Sequence, residues 1–218
     1  MKKNLTNWFC LSGIIGAIFY LLHDLVGQHN YPGYNWLEQA VSDLTAVNAP
    51  SRIVAGGLST AYGIFAVVCC TMMCVFIQRK GNKTLRLGVY LFAAMNLVSA
   101  VGYGIFPLTD KGQAGTFQDI MHVYVVTVLV VLLSIVSLIL IAIGGLKDHK
   151  RHLSLSVYAI IAFACMLFGA VGVNNVPSAY FGLVERFSTY SAVLFTAILG
   201  IYGFTVFDRQ EKSDGPCP

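Results

Sequence analysis

The sequence predicts an all-α polytopic membrane protein, a bundle of six transmembrane helices with a short amphipathic helix in the first outer loop. Three observations carry this prediction. Of 218 residues, 56% are hydrophobic and 11% charged, whereas a soluble domain carries about a quarter charged residues. Apolar runs recur at lengths that cross a hydrocarbon core of about 30 Å, which takes about 20 helical residues. The runs are also continuous and do not alternate with period two, so they read as helices and not as barrel strands.

The first run, residues 8–26, follows the basic start "MKK" as a signal peptide would. It lacks a small-x-small cleavage site and ends in His23 and Asp24, so it reads as a permanent helix. In the loop that follows, "NWLEQAVSDL" offers Asn35 as an N-cap with Glu38 three residues on, the spacing of a capping box. Leu37, Val41 and Leu44 then form one apolar stripe, and Glu38, Ser42 and Thr45 face the other way with Asp43 near the edge. Such a helix lies on the rim with Trp36 at headgroup level.

The second run covers residues 53–77 and the third 85–106, which Pro107 in "GIFPLTD" stops. Asn96 falls near the middle of the third and reads as a hydrogen-bonding link between helices. The fourth run, 120–146, has His122 at its head in "DIMHVY"; the fifth is 153–173 and the sixth 187–207. Residues 1–208 read as one bundle domain and 209–218 as a short cytoplasmic polar tail. Cys10, Cys69, Cys70, Cys74 and Cys165 lie inside spans and read as small buried hydrophobes; Cys217 is in the tail, and no CxxC pair occurs.

Basic residues set the orientation. Lys2, Lys3, Arg79, Lys80, Lys83, Arg86, Lys147, Lys150, Arg151, Arg209 and Lys212 fall on one side, and only Arg52, Lys111 and Arg186 on the other. The rule that cytoplasmic loops are rich in Lys and Arg places both termini in the cytoplasm of a plasma-membrane protein. The net charge of +4 is then an anchor for anionic headgroups and calls for no nucleic-acid partner.

The candidate site residues collect on the opposite, outer side. His23 and Asp24 sit inside the apolar slab near its outer edge, where a carboxylate needs a partner or water. Asp119 precedes His122 by one helical turn, so it can orient the imidazole. The candidates for catalysis are His122, His23, Asp24, Ser42 and Asp43, with Ser42 a nucleophile if a histidine reaches it. The candidates for ligand binding are Asp110, Asp119, Glu185 and Arg186, the last as a holder of an anionic headgroup or phosphate. No HExxH or HxxxH occurs, so a divalent metal would have to be held by residues from separate helices. Small residues such as Ser12 and Gly16, Gly169 and Gly172, or Gly200 and Gly203 suit close helix packing and admit a homo-oligomer.

"VSDLTA" in the first outer loop, "GIFP" closing the third span, "DIMH" opening the fourth and "GLVER" before the last occur in this order along the chain. In them the chain resembles the domain of unknown function 998 family, multi-pass membrane proteins of bacteria and archaea. The resemblance covers essentially the whole chain; relatives often carry Gly where this sequence has Thr45 after Ser-Asp-Leu. It implies that Ser42, Asp43, Phe106, Pro107, His122, Glu185 and Arg186 occupy motif positions, and it implies no particular activity.

Three function classes stay open. One is a noncatalytic membrane protein that binds an outer-leaflet lipid or small ligand at a polar extracytoplasmic site. Another is a membrane-embedded hydrolase or transferase, metal-dependent or not, acting on an amphiphile. The third is a small transporter, against which stands the absence of an acid or base near the midplane of spans two to six.

Overall fold

The computed structural model describes residues 4–78, 81–110 and 115–205, with the backbone alone at 149–151. The readings placed on Lys2, Lys3, Arg79, Lys80, Lys111, Arg209, Lys212, Cys217 and the tail 209–218 lie outside these residues. Among the described residues there is no strand. Six helices are long and apolar enough to cross a membrane, as the hydropathy requires.

The helices are α1 (Leu5–His29), α2 (Arg52–Ile77), α3 (Lys83–Ile105), α4 (Phe117–Lys147), α5 (His149–Gly172) and α6 (Phe181–Thr205). Each packs on its neighbour in sequence and α6 returns to α1, closing a ring that α2 and α6 also bridge. Large apolar side chains face outward, Ile53 at 89% and Leu25 at 65% exposure. That surface suits lipid, not water.

The two ends of the ring are built differently. The basic end carries the described termini and the turn after α4; the distal end carries 30–51, the described residues 106–110 and 115–116, and 173–180. The basic half is solid. Met73, Leu85, Phe92, Leu138, Ile141, Phe195 and Leu199 are fully buried in one cluster, and Phe92 meets Phe195 edge to face at 5.1 Å. Helices approach backbone to backbone there: a Cβ on Gly144 would stand 2.6 Å from Leu85 Cα, closer than any side chain allows. Asn82 clamps the same contact, donating from Nδ2 to Gly144 O at 2.6 Å while its Oδ1 caps α3 at Leu85 N.

Several sequence expectations change in detail. Cys10, Cys69 and Cys70 are buried and Cys74 and Cys165 half-buried, all as free thiols. Gly16, Gly169, Gly172, Gly200 and Gly203 pack against other helices of the same chain, so these small residues serve the bundle itself. Among the described residues Asn96 makes no link between helices: its Nδ2 donates to Phe92 O of its own helix at 3.0 Å. A side chain that satisfies its own backbone is free to present its other end elsewhere.

The rim segment is a folded strap with less helix than the stripe suggests. A turn at 35–39 leads to a five-residue 3₁₀ helix, Val41–Thr45. Asn35 caps as expected, its Oδ1 accepting Leu37 N at 3.1 Å, but Gln39 in place of Glu38 reaches back to Asn35 N at 2.8 Å. The helix stops after one turn because α6 takes over the next acceptors: Leu183 N and the Arg186 guanidinium bind carbonyls that a longer helix would use internally. Val41 and Leu44 of the stripe are buried on α1 and α2, and Trp36 stays 45% exposed at the rim.

Candidate functional site

In contrast to the basic half, the distal half is hollow. A cavity of about 1780 Å³ runs from the strap down to Asn96 and Met166 and is walled by α2 to α6 and the end of α1. Asn96 lies nine residues in from the end of α3, about 14 Å at 1.5 Å per residue. Small-molecule sites span about 300–1,000 Å³, so there is room for a head and a tail. The upper wall carries His23, His122 and Glu185 with tyrosines and threonines; the lower wall carries Val67, Met95, Val131 and Met166.

His23 and Asp24 are adjacent in sequence and therefore about 100° apart around α1. They face different neighbours. Asp24, 3% exposed, points to α6 and takes both arms of Arg186, Nε to Oδ2 at 3.0 Å and Nη2 to Oδ1 at 2.8 Å. Gln28 Nε2 donates to the same carboxylate at 2.8 Å, and Tyr190 OH also donates to it. The remaining donors of Arg186 go to Trp36 O, Gln39 O and Gly182 O, all within 3.1 Å, and to Tyr34 OH at 2.9 Å. A guanidinium has five N–H groups, and all are engaged.

This corrects the expectation that Arg186 holds an anionic headgroup. Its charge is cancelled by Asp24 and its fork is filled by the strap, so it is a tether. Glu185 adds a second tether through Oε2, which accepts Val41 N at 3.3 Å. The strap can lie this close only because position 182 is glycine: a Cβ there would meet Trp36 O at 2.7 Å. Tyr34, whose phenol donates to Ala40 O at 2.7 Å, completes the fastening. Burial raises its titration above the ordinary tyrosine range, outweighing the nearby Arg186, so it stays a neutral donor.

Asp119 is likewise a structural residue. Thr109 N and Oγ1 and Thr116 N and Oγ1 all donate to its carboxylate, at 2.7 to 3.1 Å. Thr116 returns the favour by accepting Asp119 N, a capping box that starts α4, and the bonds from Thr109 pin the end of the α3 exit to it. The imidazole of His122 is oriented by something else: Nδ1 meets Phe106 O, the carbonyl at the end of α3, at 2.7 Å. Its ring lies 4.7 Å from that of Tyr103.

His23 has the same arrangement. Its Nδ1 meets Ala55 O of α2 at 2.9 Å. A carbonyl only accepts, so Nδ1 carries the proton in both rings and Nε2 keeps its lone pair when the ring is neutral. Both histidines line the cavity. His122 also sits in a π-helical stretch, Met121–Thr127, in which Thr127 Oγ1 donates to His122 O at 2.8 Å. Such widened turns are rare and recur at functional positions.

Ser42 and Asp43 line the mouth of the cavity, Ser42 half-buried and Asp43 5% exposed. Among the described residues no histidine hydrogen-bonds Ser42, and no three of the His, Cys, Asp and Glu side chains form a group that could hold a metal ion. Asp110 is exposed at the rim, away from the cavity wall. The structure thus brings His23, His122, Ser42, Asp43 and Glu185 around one space and leaves Asp24, Asp119 and Arg186 as its fastenings. The residues not foreseen are Tyr34, Tyr190, Thr109 and Thr116. "TFQD" did carry the capping-box spacing, whereas Tyr34 and Tyr190 had no signal beyond their type.

The family model described as Protein of unknown function (DUF998) matches residues 14–202, and the chain belongs to that family. No curated protein and no solved structure matches the chain.

Proposed function

We propose that this multi-pass membrane protein binds an amphiphilic ligand, a lipid or small molecule of the outer leaflet, in the distal cavity. On this reading the basic end faces the cytoplasm of a plasma-membrane protein and the cavity opens on the extracytoplasmic side. One observation carries the reading: the same six helices are packed solid in one half and hollow in the other, with polar groups above and apolar ones below. Interiors are normally close-packed, and a cavity of this size fastened under a strap by a buried ion pair has a cost that a ligand-binding role explains.

The test is a thermal-stability screen of the purified protein in neutral detergent against single-chain amphiphiles, run beside Ala170→Phe, which places a ring in the cavity. A ligand that raises Tm of the parent protein and leaves Ala170→Phe unchanged supports the reading. Equal shifts in both would refute it.

A second reading has one observation in its favour. The carbonyl-fixed rings of His23 and His122 leave Nε2 as a base facing the cavity, as a hydrolase or transferase would need. His122→Ala protein that stays folded and no longer converts a bound lipid would support it. Unchanged lipid after prolonged incubation of the parent protein would end it.

A further inference from the structure

Resting on the cavity reading above, we infer that the occupant carries an ammonium group, and that the cavity selects against phosphate and carboxylate heads. The inference comes from which hydrogen-bonding groups remain after the protein has used its own. Around the two histidines and Asn96 the donors are engaged internally, while Gln39 Nε2 at the strap has no partner among the described residues. His23 Nδ1 and His122 Nδ1 are on carbonyls, Asn96 Nδ2 is on Phe92 O, Tyr103 OH donates to Thr127 Oγ1 at 3.1 Å, and Thr127 Oγ1 donates to His122 O. Thr189 Oγ1 donates to Glu185 Oε1 at 3.0 Å.

What remains is a set of acceptors: Nε2 of both histidines, Oδ1 of Asn96 and the unfilled lone pairs of Glu185. The hydroxyls of Ser59 and Ser99, also on the wall, can act either way. Charge points in the same direction. Glu185 makes no ion pair among the described residues, and the neighbouring cation, Arg186, is neutralised by Asp24 at 2.8 Å.

Aromatic faces complete the set. Tyr20, Tyr62 and Tyr103 line the cavity; Tyr20 and Tyr62 meet edge to face with centroids 4.8 Å apart, and Tyr20 also packs on His23 at 5.3 Å. Tyr20 and Tyr103 lie within electrostatic reach of Glu185. Aromatic rings and a carboxylate on one wall, with acceptors around them, form an environment that recognises ammonium ions; Arg52 also lines the cavity but is exposed at its rim, with Nη1 donating to Val47 O at 3.3 Å. An anionic head would meet lone pairs and a carboxylate.

The test compares dodecylammonium, dodecanol and dodecyl phosphate by isothermal titration into the full-length protein in nanodiscs of zwitterionic lipid, with methylammonium as the head alone. The expected result is at least tenfold tighter binding of the ammonium amphiphile than of the alcohol, with the phosphate weaker still. Glu185→Gln, which keeps an acceptor for Val41 N, should bring ammonium and alcohol affinities to within about threefold of each other, and an ammonium preference kept in full would overturn the role given to the carboxylate. Phosphate or alcohol binding as tight as ammonium in the parent protein would overturn the inference and leave the cavity reading standing. Methylammonium binding as tight as dodecylammonium would uphold the ammonium preference and overturn the amphiphile. Binding of none of the four overturns both.

Discussion

The basic and distal halves are cut from the same six helices, and the sequence makes them different by what it places at matching depths. In the basic half, fully buried Phe, Leu, Ile and Met side chains mesh, and glycines let backbones touch. In the distal half the inward positions mix His, Tyr, Thr, Ser, Asn and Glu with Gly, Ala and Val, and these side chains do not fill the space. The difference teaches where rigidity comes from at each end. Dispersion and burial hold the first; hydrogen-bonded fastenings, Asp24 with Arg186 and Asp119 with its threonines, hold the second. A hollow region needs such fastenings because its walls have no partner across the gap.

The largest effect should come from breaking a fastening. Arg186→Met leaves Asp24 buried without its counter-ion and should cost about 3–5 kcal/mol. The double variant Asp24→Leu with Arg186→Met should recover part of that loss, measured by denaturant unfolding in micelles. Equal damage in single and double variants would mean that the strap contacts of Arg186, and not the charge pair, set its worth.

Truncating the two walls should then separate the halves. Phe92→Ala in the packed half opens a new void and should cost about 3–5 kcal/mol. Val131→Ala enlarges an existing cavity and should cost under about 1 kcal/mol by the same measurement, since little cavity surface is newly created. A similar penalty at both would contradict the contrast.

Gly182→Ala comes next. Its methyl group collides with strap carbonyls and should cost about 1–3 kcal/mol, seen also as faster protease cleavage within residues 30–40. His122→Ala should be milder, about 0.5–1.5 kcal/mol for the lost bond to Phe106 O, with the loss read from the unfolding midpoint.

Hydropathy alone located the six spans, because a membrane demands long apolar runs whatever the bundle does inside. The charge asymmetry and the polar face also followed from composition and order. The roles within that face did not. Asp24 and Arg186 are 162 residues apart and meet only because α6 closes the ring beside α1, a pairing no local pattern encodes. His122 looked paired with Asp119 by helical spacing, yet a threonine box claimed the acid and a carbonyl at the end of α3 claimed the ring. The strap holds less helix than its apolar stripe predicts for a related reason: tertiary donors take its carbonyls. Cavities are equally silent in sequence, since a polar residue facing a void and one facing a neighbour read alike.

A hollow distal half admits polar molecules and a packed basic half excludes them. Ser99→Cys, on the cavity wall, and Ser137→Cys, 0% exposed in the packed half, treated in intact membranes with a charged methanethiosulfonate reagent and read by site-resolved mass spectrometry, test it directly. Modification at position 99 with none at 137 is the predicted result. Equal protection of both cysteines would contradict it.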